Sequence, residues 1–254
     1  MNIGILYIAI GAYKVFWDDF FTSCEKYFLP NVPKKYFIFT DQITDCKENI
    51  TYYLQEDLGW PYNTLDRFSI FWKYRLDYKE CDYLFFFNSN TLFLETICAQ
   101  EFLPLKEENF ITSLTWNVYS TKEIPYERDV RSSAFIPYDE GSLYYQGGIN
   151  GGKTFEYLQL IKSCMKSVEI DKKNSVIARN NDESHLNRYL LNKRIKVLDT
   201  HYGKPEEWIN PRHAKIIFRD KNKVLGCSFI NKLKHRKINI LNRIYNYISS
   251  LNSL

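Results

Sequence analysis

The sequence predicts an α/β fold with a mostly parallel central sheet and a basic, partly helical C-terminal tail. Three observations carry that prediction. Short apolar runs at residues 3–10 and 82–87 have the length and continuity of strands buried on both faces, the habit of parallel sheets. Segments with apolar residues at helical spacing fall between such runs, so strand and helix alternate. The 254 residues, 45% hydrophobic and 25% charged, suffice to bury one large core and are too apolar for disorder.

In chain order, residues 3–10 end at Gly11 and form the first strand. Val15, Phe16, Phe20, Cys24 and Tyr27 mark one face of a helix over 14–28, closed off by Pro30, and residues 36–41 are the next strand, completing a β-α-β unit. A strand near 50–54 leads to a helix over about 65–78. Residues 82–87 then form a buried strand that stops at Asn88-Ser89-Asn90. Ligands of open α/β sheets bind beyond the carboxyl ends of strands, which puts that turn at the mouth of a site. A strand over 110–116 and a helix over about 154–168 follow, and Leu186, Tyr189 and Leu190 mark a further helix. Leu241, Ile244, Ile248 and Leu251 recur at spacings of three and four, an amphipathic helix over about 238–251. No repeat, low-complexity tract or Gly/Ser linker intervenes, so the chain divides into residues 1–211, which carry the site, and a tail over 212–254.

Composition excludes several classes. Six cysteines without a CxxC pair and four histidines build no zinc-ligand spacing, and the cysteines read as reduced thiols. No stretch reaches the length of a membrane span, and the apolar start lacks the basic flank and cleavage site of a signal peptide. A cytoplasmic protein is expected. The net charge of +4 is uneven: residues 212–254 hold ten Lys or Arg against the single acid Asp220, so the remainder is net acidic. Such a tail suits phosphates, an anionic membrane or nucleic acid. The acidic remainder and the lack of any recognition motif argue against nucleic acid. The final helix, preceded by Lys232, Lys234, Arg236 and Lys237, either packs on the core or docks peripherally on the inner membrane. Aromatics at 17% suit a thick core as well as a site that stacks on a base or sugar ring.

Three segments are candidates for chemistry. Asn88-Ser89-Asn90 is ordinary turn composition, but its place at a strand end suits a diphosphate. Neutral amides seldom hold a hard cation unaided, so no metal is expected there. Tyr144-Tyr145-Gln146-Gly147-Gly148-Ile149-Asn150-Gly151-Gly152 gathers four glycines in six residues, which reads as a flexible turn or as backbone that a ligand approaches closely; it is not GxGxxG. Asn180-Asn181-Asp182-Glu183-Ser184-His185-Leu186-Asn187 opens a helix with two acids, which the helix dipole favours, and which could also serve as a nucleophile or stabiliser beside a sugar carbon. His185, inside the helix, reads as structural.

Together these segments resemble family 6 of the retaining glycosyltransferases, which includes the ABO blood-group transferases and the α-1,3-galactosyltransferases. The resemblance spans residues 3–223. It rests on Ile8-Ala9-Ile10 with Tyr13, Phe39-Thr40-Asp41-Gln42, Asp82-Tyr83-Leu84, Tyr126-Glu127-Arg128, Asp139-Glu140-Gly141, the Tyr-Tyr-Gln-Gly-Gly run and Asp182-Glu183-Ser184-His185-Leu186-Asn187. It implies a GT-A fold, a UDP-sugar donor and an α-1,3 bond made with retention. By match to the family, Ile8, Ile10 and Tyr13, with Ala9 between them, hold the uridine, and Arg67 lies near the donor sugar and phosphates. Glu183 is the carboxylate beneath the anomeric carbon, and Asp182 hydrogen-bonds the donor sugar. Gln146, Gly147 and Gly148 line the donor sugar, the glycine at 148 resembling the members that use N-acetylgalactosamine rather than galactose. Trp116, Gln146, Asn181 and Glu183 face the acceptor, a galactose-ended oligosaccharide that is fucosylated in some members.

The resemblance breaks at Asn88-Ser89-Asn90, where the mammalian family has the Asp-x-Asp pair that binds Mn²⁺. A leaving UDP still needs a cation. Lys221 matches a family lysine that folds over the diphosphate, with Arg219 and Lys223 beside it. The expectation is a cofactor-free enzyme using UDP-GalNAc or UDP-Gal. The rival is a pseudoenzyme that binds nucleotide sugar or glycan without turnover, against which Glu183 argues.

Overall fold

A computed structural model describes residues 1–43, 47–104, 111–115, 123–208 and 213–226. Trp116, and the expected helix over 238–251 with its basic approach, lie outside the described residues.

Seven strands form the main sheet: β1 (Ile3–Ala9), β2 (Lys34–Thr40), β3 (Ile50–Leu54), β4 (Tyr83–Phe87), β6 (Ile111–Thr115), β7 (Tyr145–Lys153) and β8 (Lys196–Leu198), in the order β3-β2-β1-β4-β7-β6-β8. All pairings are parallel except those of β7, which runs antiparallel to both β4 and β6. A smaller sheet joins β5 (Thr91–Phe93), β10 (Ile216–Phe218) and β9 (Tyr202–Pro205), so residues after 211 contribute the middle strand of that sheet. This is the α/β architecture with a mostly parallel central sheet that the sequence predicts.

Each face of the main sheet is covered. On one, α1 (Trp17–Tyr27) packs toward β5, and Phe20, Phe28, Phe85, Phe87, Phe93 and Phe102, the last from the short α4 (Ala99–Phe102), fill the space. On the other, α3 (Arg67–Lys73), α5 (Thr154–Lys173) and α6 (Asp182–Leu190) cover Phe37, Phe39, Phe71, Phe86 and Tyr157. Most of the aromatic excess is therefore core, in edge-to-face and tilted contacts such as Phe28 with Phe87 and Phe102.

The helix expected over 14–28 opens instead with a 3₁₀ stretch, Gly11–Phe16, before α1. That expected over 65–78 is split into α2 (Tyr62–Leu65), α3 and a 3₁₀ turn at Arg75–Tyr78. The break at Asp66 makes Arg67 the first residue of α3, where its side chain reaches the site. The glycine-rich run is no turn: it is β7, in the body of the sheet and buried along its length. Gly151 explains its composition, because a Cβ there would lie 2.2 Å from a ring carbon of Phe85 and 2.4 Å from the Leu84 carbonyl oxygen. Cys24, Cys81, Cys98 and Cys164 are free thiols, and no described helix is long and apolar enough to cross a membrane.

Candidate active site

The strand ends of β1 and β4 open on a cavity of about 230 Å³. Ile8, Ile10, Tyr13, Arg67, Phe86, Asn88, Ser89 and Lys221 line it. The strand-end position follows from the topology, since side chains just past parallel strands have no further sheet to cover them. Unforeseen lining residues come from the segment before Arg67: Asp57, Gly59, Trp60, Asn63 and Thr64. Their loop composition reads as connection, and only folding brings it over the end of β1.

Ala9, between Ile8 and Ile10, lines a separate cavity with Lys14, Trp17 and Tyr52, because alternate residues of a strand face opposite sides. Asn90 turns the other way too. It is 5% exposed; its Nδ2 donates to the Arg219 carbonyl at 2.7 Å, and the Arg219 N–H donates to the Asn90 carbonyl at 2.8 Å. Asn90 therefore clamps the segment entering α7 (Lys221–Leu225) onto the end of β4. Asp220 caps α7 by accepting the Asn222 N–H at 2.8 Å, which sets Lys221 at its first turn. The Lys221 Nζ stands 5.3 Å from the centre of the Tyr13 ring, and burial lowers its pKa. A partly buried cation at the edge of this cavity is stabilised by an arriving anion.

Beneath the cavity, Arg67 joins it to the two acids. Arg67 pairs with Asp182, both nearly fully buried, and its Nη1 donates to the Gly147 carbonyl at 3.1 Å. Burial raises the Asp182 pKa against the opposing pull of Arg67. Both oxygens of Glu183 are engaged: Oε1 accepts from the Tyr144 hydroxyl at 2.7 Å and Oε2 from the Gly147 N–H. Burial raises the Glu183 pKa, and those two hydrogen bonds oppose the rise. The Tyr144 hydroxyl in turn accepts from Asn180 Nδ2. Tyr144 thus positions the central carboxylate, a role its sequence context did not announce.

The backbone of β7 makes this arrangement possible. Opposite β6, the register jumps from Gln146 to Asn150 while β6 advances by one residue, from Leu114 to Ser113. Residues 147–149 form a bulge facing β6. The amide of Gly147 is released to Glu183, and its carbonyl accepts from Arg67 and from Asn150 Nδ2. A Cβ at 147 would lie 3.1 Å from both Arg67 Nη2 and Glu183 Oε2, so glycine lets the strand approach the pair. At 148 a Cβ would meet the Phe218 ring at 2.7 Å and Asn88 Nδ2 at 3.3 Å. Gln146 is buried at the edge of the bulge.

Asn181, the N-cap of α6, has φ 52°, uncommon for a residue with a side chain. This local strain turns the chain so that Asp182 and Glu183 open the helix beside the bulge. Asn187 secures the helix from the other side, accepting the Tyr145 N–H at 2.8 Å and donating to the Tyr145 and Glu183 carbonyls at 2.9 Å. His185 lies buried, with Nδ1 2.8 Å from Ser167 Oγ, and burial pulls its pKa down to about 4.

The sequence profile of Glycosyltransferase family 6 matches residues 1–224. The chain is 37% identical over 228 residues to the O-antigen biosynthesis glycosyltransferase WbnI of Escherichia coli, a match covering 88% of this chain and 96% of that protein. It is 26% identical to the human globoside alpha-1,3-N-acetylgalactosaminyltransferase 1, over 89% of this chain and 68% of that one. It is 31% identical to the rat histo-blood group ABO system transferase 1, over 79% and 60%.

Proposed function

The chain belongs to glycosyltransferase family 6, and from that premise we propose that it transfers N-acetylgalactosamine, in preference to galactose, from UDP to a galactose-ended glycan. The bond formed is α-1,3, made with retention and without a metal ion. The observation that carries this reading is the continuous path from a strand-end cavity holding Lys221 and Arg67, through Arg67, to the buried pair Asp182 and Glu183.

UDP fits the cavity by charge and shape. Ile8, Ile10 and Tyr13 offer apolar and aromatic surface for the base, and Lys221, Arg67, Asn88 and Ser89 offer cations and donors for the diphosphate. When the bond between the anomeric carbon and the β-phosphate oxygen breaks, its electron pair stays with UDP. Lys221 and Arg67 then stabilise the growing negative charge, as a metal does elsewhere. The chemistry of the turn supports the metal-free route: Asn88 and Asn90 are neutral amides, which seldom hold a hard cation unaided. Glu183 answers the positive charge at the anomeric carbon, and retention follows from a glycosyl-Glu183 intermediate or from an ion pair sheltered by the same carboxylate. Two hydrogen bonds already spread its charge, which favours the ion pair. Glycine at 148 is in keeping with a donor that carries an N-acetyl group, because it is the residue that resembles the members using N-acetylgalactosamine.

Release of UDP from UDP-N-acetylgalactosamine, with and without acceptor, tests the assignment. The wild type is expected to release UDP in both conditions, faster with acceptor, and Glu183→Gln to lose at least 100-fold in turnover, in line with removal of a transition-state group. Near-normal turnover in Glu183→Gln would refute the role given to Glu183.

A further inference from the structure

Building on the reading of the cavity as a uridine-nucleotide site, we propose that Asp57 recognises the ribose hydroxyls and makes the site selective for a ribonucleotide. Asp57 is the sole carboxylate among the described residues that line the cavity. Its two oxygens are used differently. Oδ1 accepts the Gly59 N–H at 2.9 Å and Asn63 Nδ2 at 2.6 Å, contacts that fix the side chain. Oδ2 accepts from no described residue and points toward the end of β1, where a Cβ on Gly11 would lie 3.8 Å from it. Gly11, at φ +58°, carries the chain out of β1 in the left-handed region and leaves this approach open.

Charge decides which part of the ligand meets Asp57. The diphosphate is drawn to Lys221 and Arg67 and repelled by a carboxylate, so an acid in this cavity serves the part of the ligand that donates hydrogen bonds. In a uridine diphosphate those donors are the two ribose hydroxyls and the N3–H of the base. A vicinal diol suits an ionised carboxylate through short charge-assisted bonds, the chemistry by which dinucleotide folds read a ribose 2′-hydroxyl. Gly11 and Tyr13, from the strand end that offers its surface to the nucleoside, line the cavity together with Asp57, which places the acid at the nucleoside end.

The test is the affinity of the full chain for UDP, 2′-deoxy-UDP and 3′-deoxy-UDP, in the wild type, Asp57→Asn and Asp57→Ala. None of these ligands carries a donor sugar, so the comparison isolates the nucleoside. The wild type is expected to bind UDP at least ~10-fold more tightly than one or both deoxy analogues, as loss of a hydrogen bond to a charged group requires. Asp57→Ala is expected to bring that ratio close to one while leaving the affinity for the affected analogue nearly unchanged, with Asp57→Asn intermediate. A purely structural role, or recognition of the base N3–H, would weaken all three ligands equally and keep the ratio, overturning the proposal. Equal binding of UDP and both analogues by the wild type would overturn it as well. A wild type that binds none of them would instead sink the uridine-nucleotide reading, and the proposal with it.

Discussion

Glu183 is the residue on which the account turns, and its surroundings give it a measurable titration. Burial holds its pKa above the usual carboxylate range, while the Tyr144 hydroxyl and Gly147 N–H restrain the rise. The ionised form is the working one, so activity falls as pH drops through that raised pKa. Tyr144→Phe removes a bond that favours the anion, and the acid limb of kcat/KM is expected to move to higher pH; an unchanged limb would show that Tyr144 does not set this carboxylate. Stability carries the opposite sign. A carboxyl whose native pKa exceeds its unfolded value stabilises the fold fully below the unfolded pKa and loses that contribution as pH rises through the native one. Glu183→Gln, which never ionises, is therefore expected to melt at higher temperature than the wild type at pH 7, the gap closing toward pH 4 in thermal scans. At this scale the sequence was informative where family likeness named the residue, as for Asp182, Glu183 and Arg67. It was silent on Tyr144 and Asp57, whose roles exist only once distant segments meet.

Among the elements, β7 shows how pattern reading fails for a physical reason. Glycine weakens an isolated strand, so a run with four glycines reads as a turn. Here the glycines admit what packs against the strand: the Phe85 ring at Gly151, the Arg67 and Glu183 side chains at Gly147 and the Phe218 ring at Gly148. Gly151→Ala must displace the backbone of β4, and a loss of ~3 kcal/mol or more in denaturant unfolding is expected, at the upper end of overpacking effects. A loss below about 0.5 kcal/mol, the range of neutral surface changes, would mean that β7 does not sit against β4 as described. By contrast, β1, β2 and β4 were legible because continuous apolar runs have one stable home, the middle of a covered sheet. The short strands β5, β9 and β10 carry no periodicity of their own, and pairing alone creates them.

At the scale of the whole molecule, the sheet order and the last described segment converge on one place. β1 and β4 are neighbours, so their ends share a cavity, and β10 in the small sheet returns the chain to that rim, where the Asn90–Arg219 clamp delivers Lys221. On the proposed reading, the lysine delivered beside the neutral Asn-Ser-Asn turn serves where a metal would otherwise stand. The most direct measurement is transfer from UDP-N-acetylgalactosamine and UDP-galactose to lactose and fucosylated lactose, each with Mn²⁺ and with EDTA. The account predicts α-1,3 transfer, fastest from UDP-N-acetylgalactosamine, at the same rate under both conditions. Transfer that EDTA abolishes and Mn²⁺ restores would contradict it.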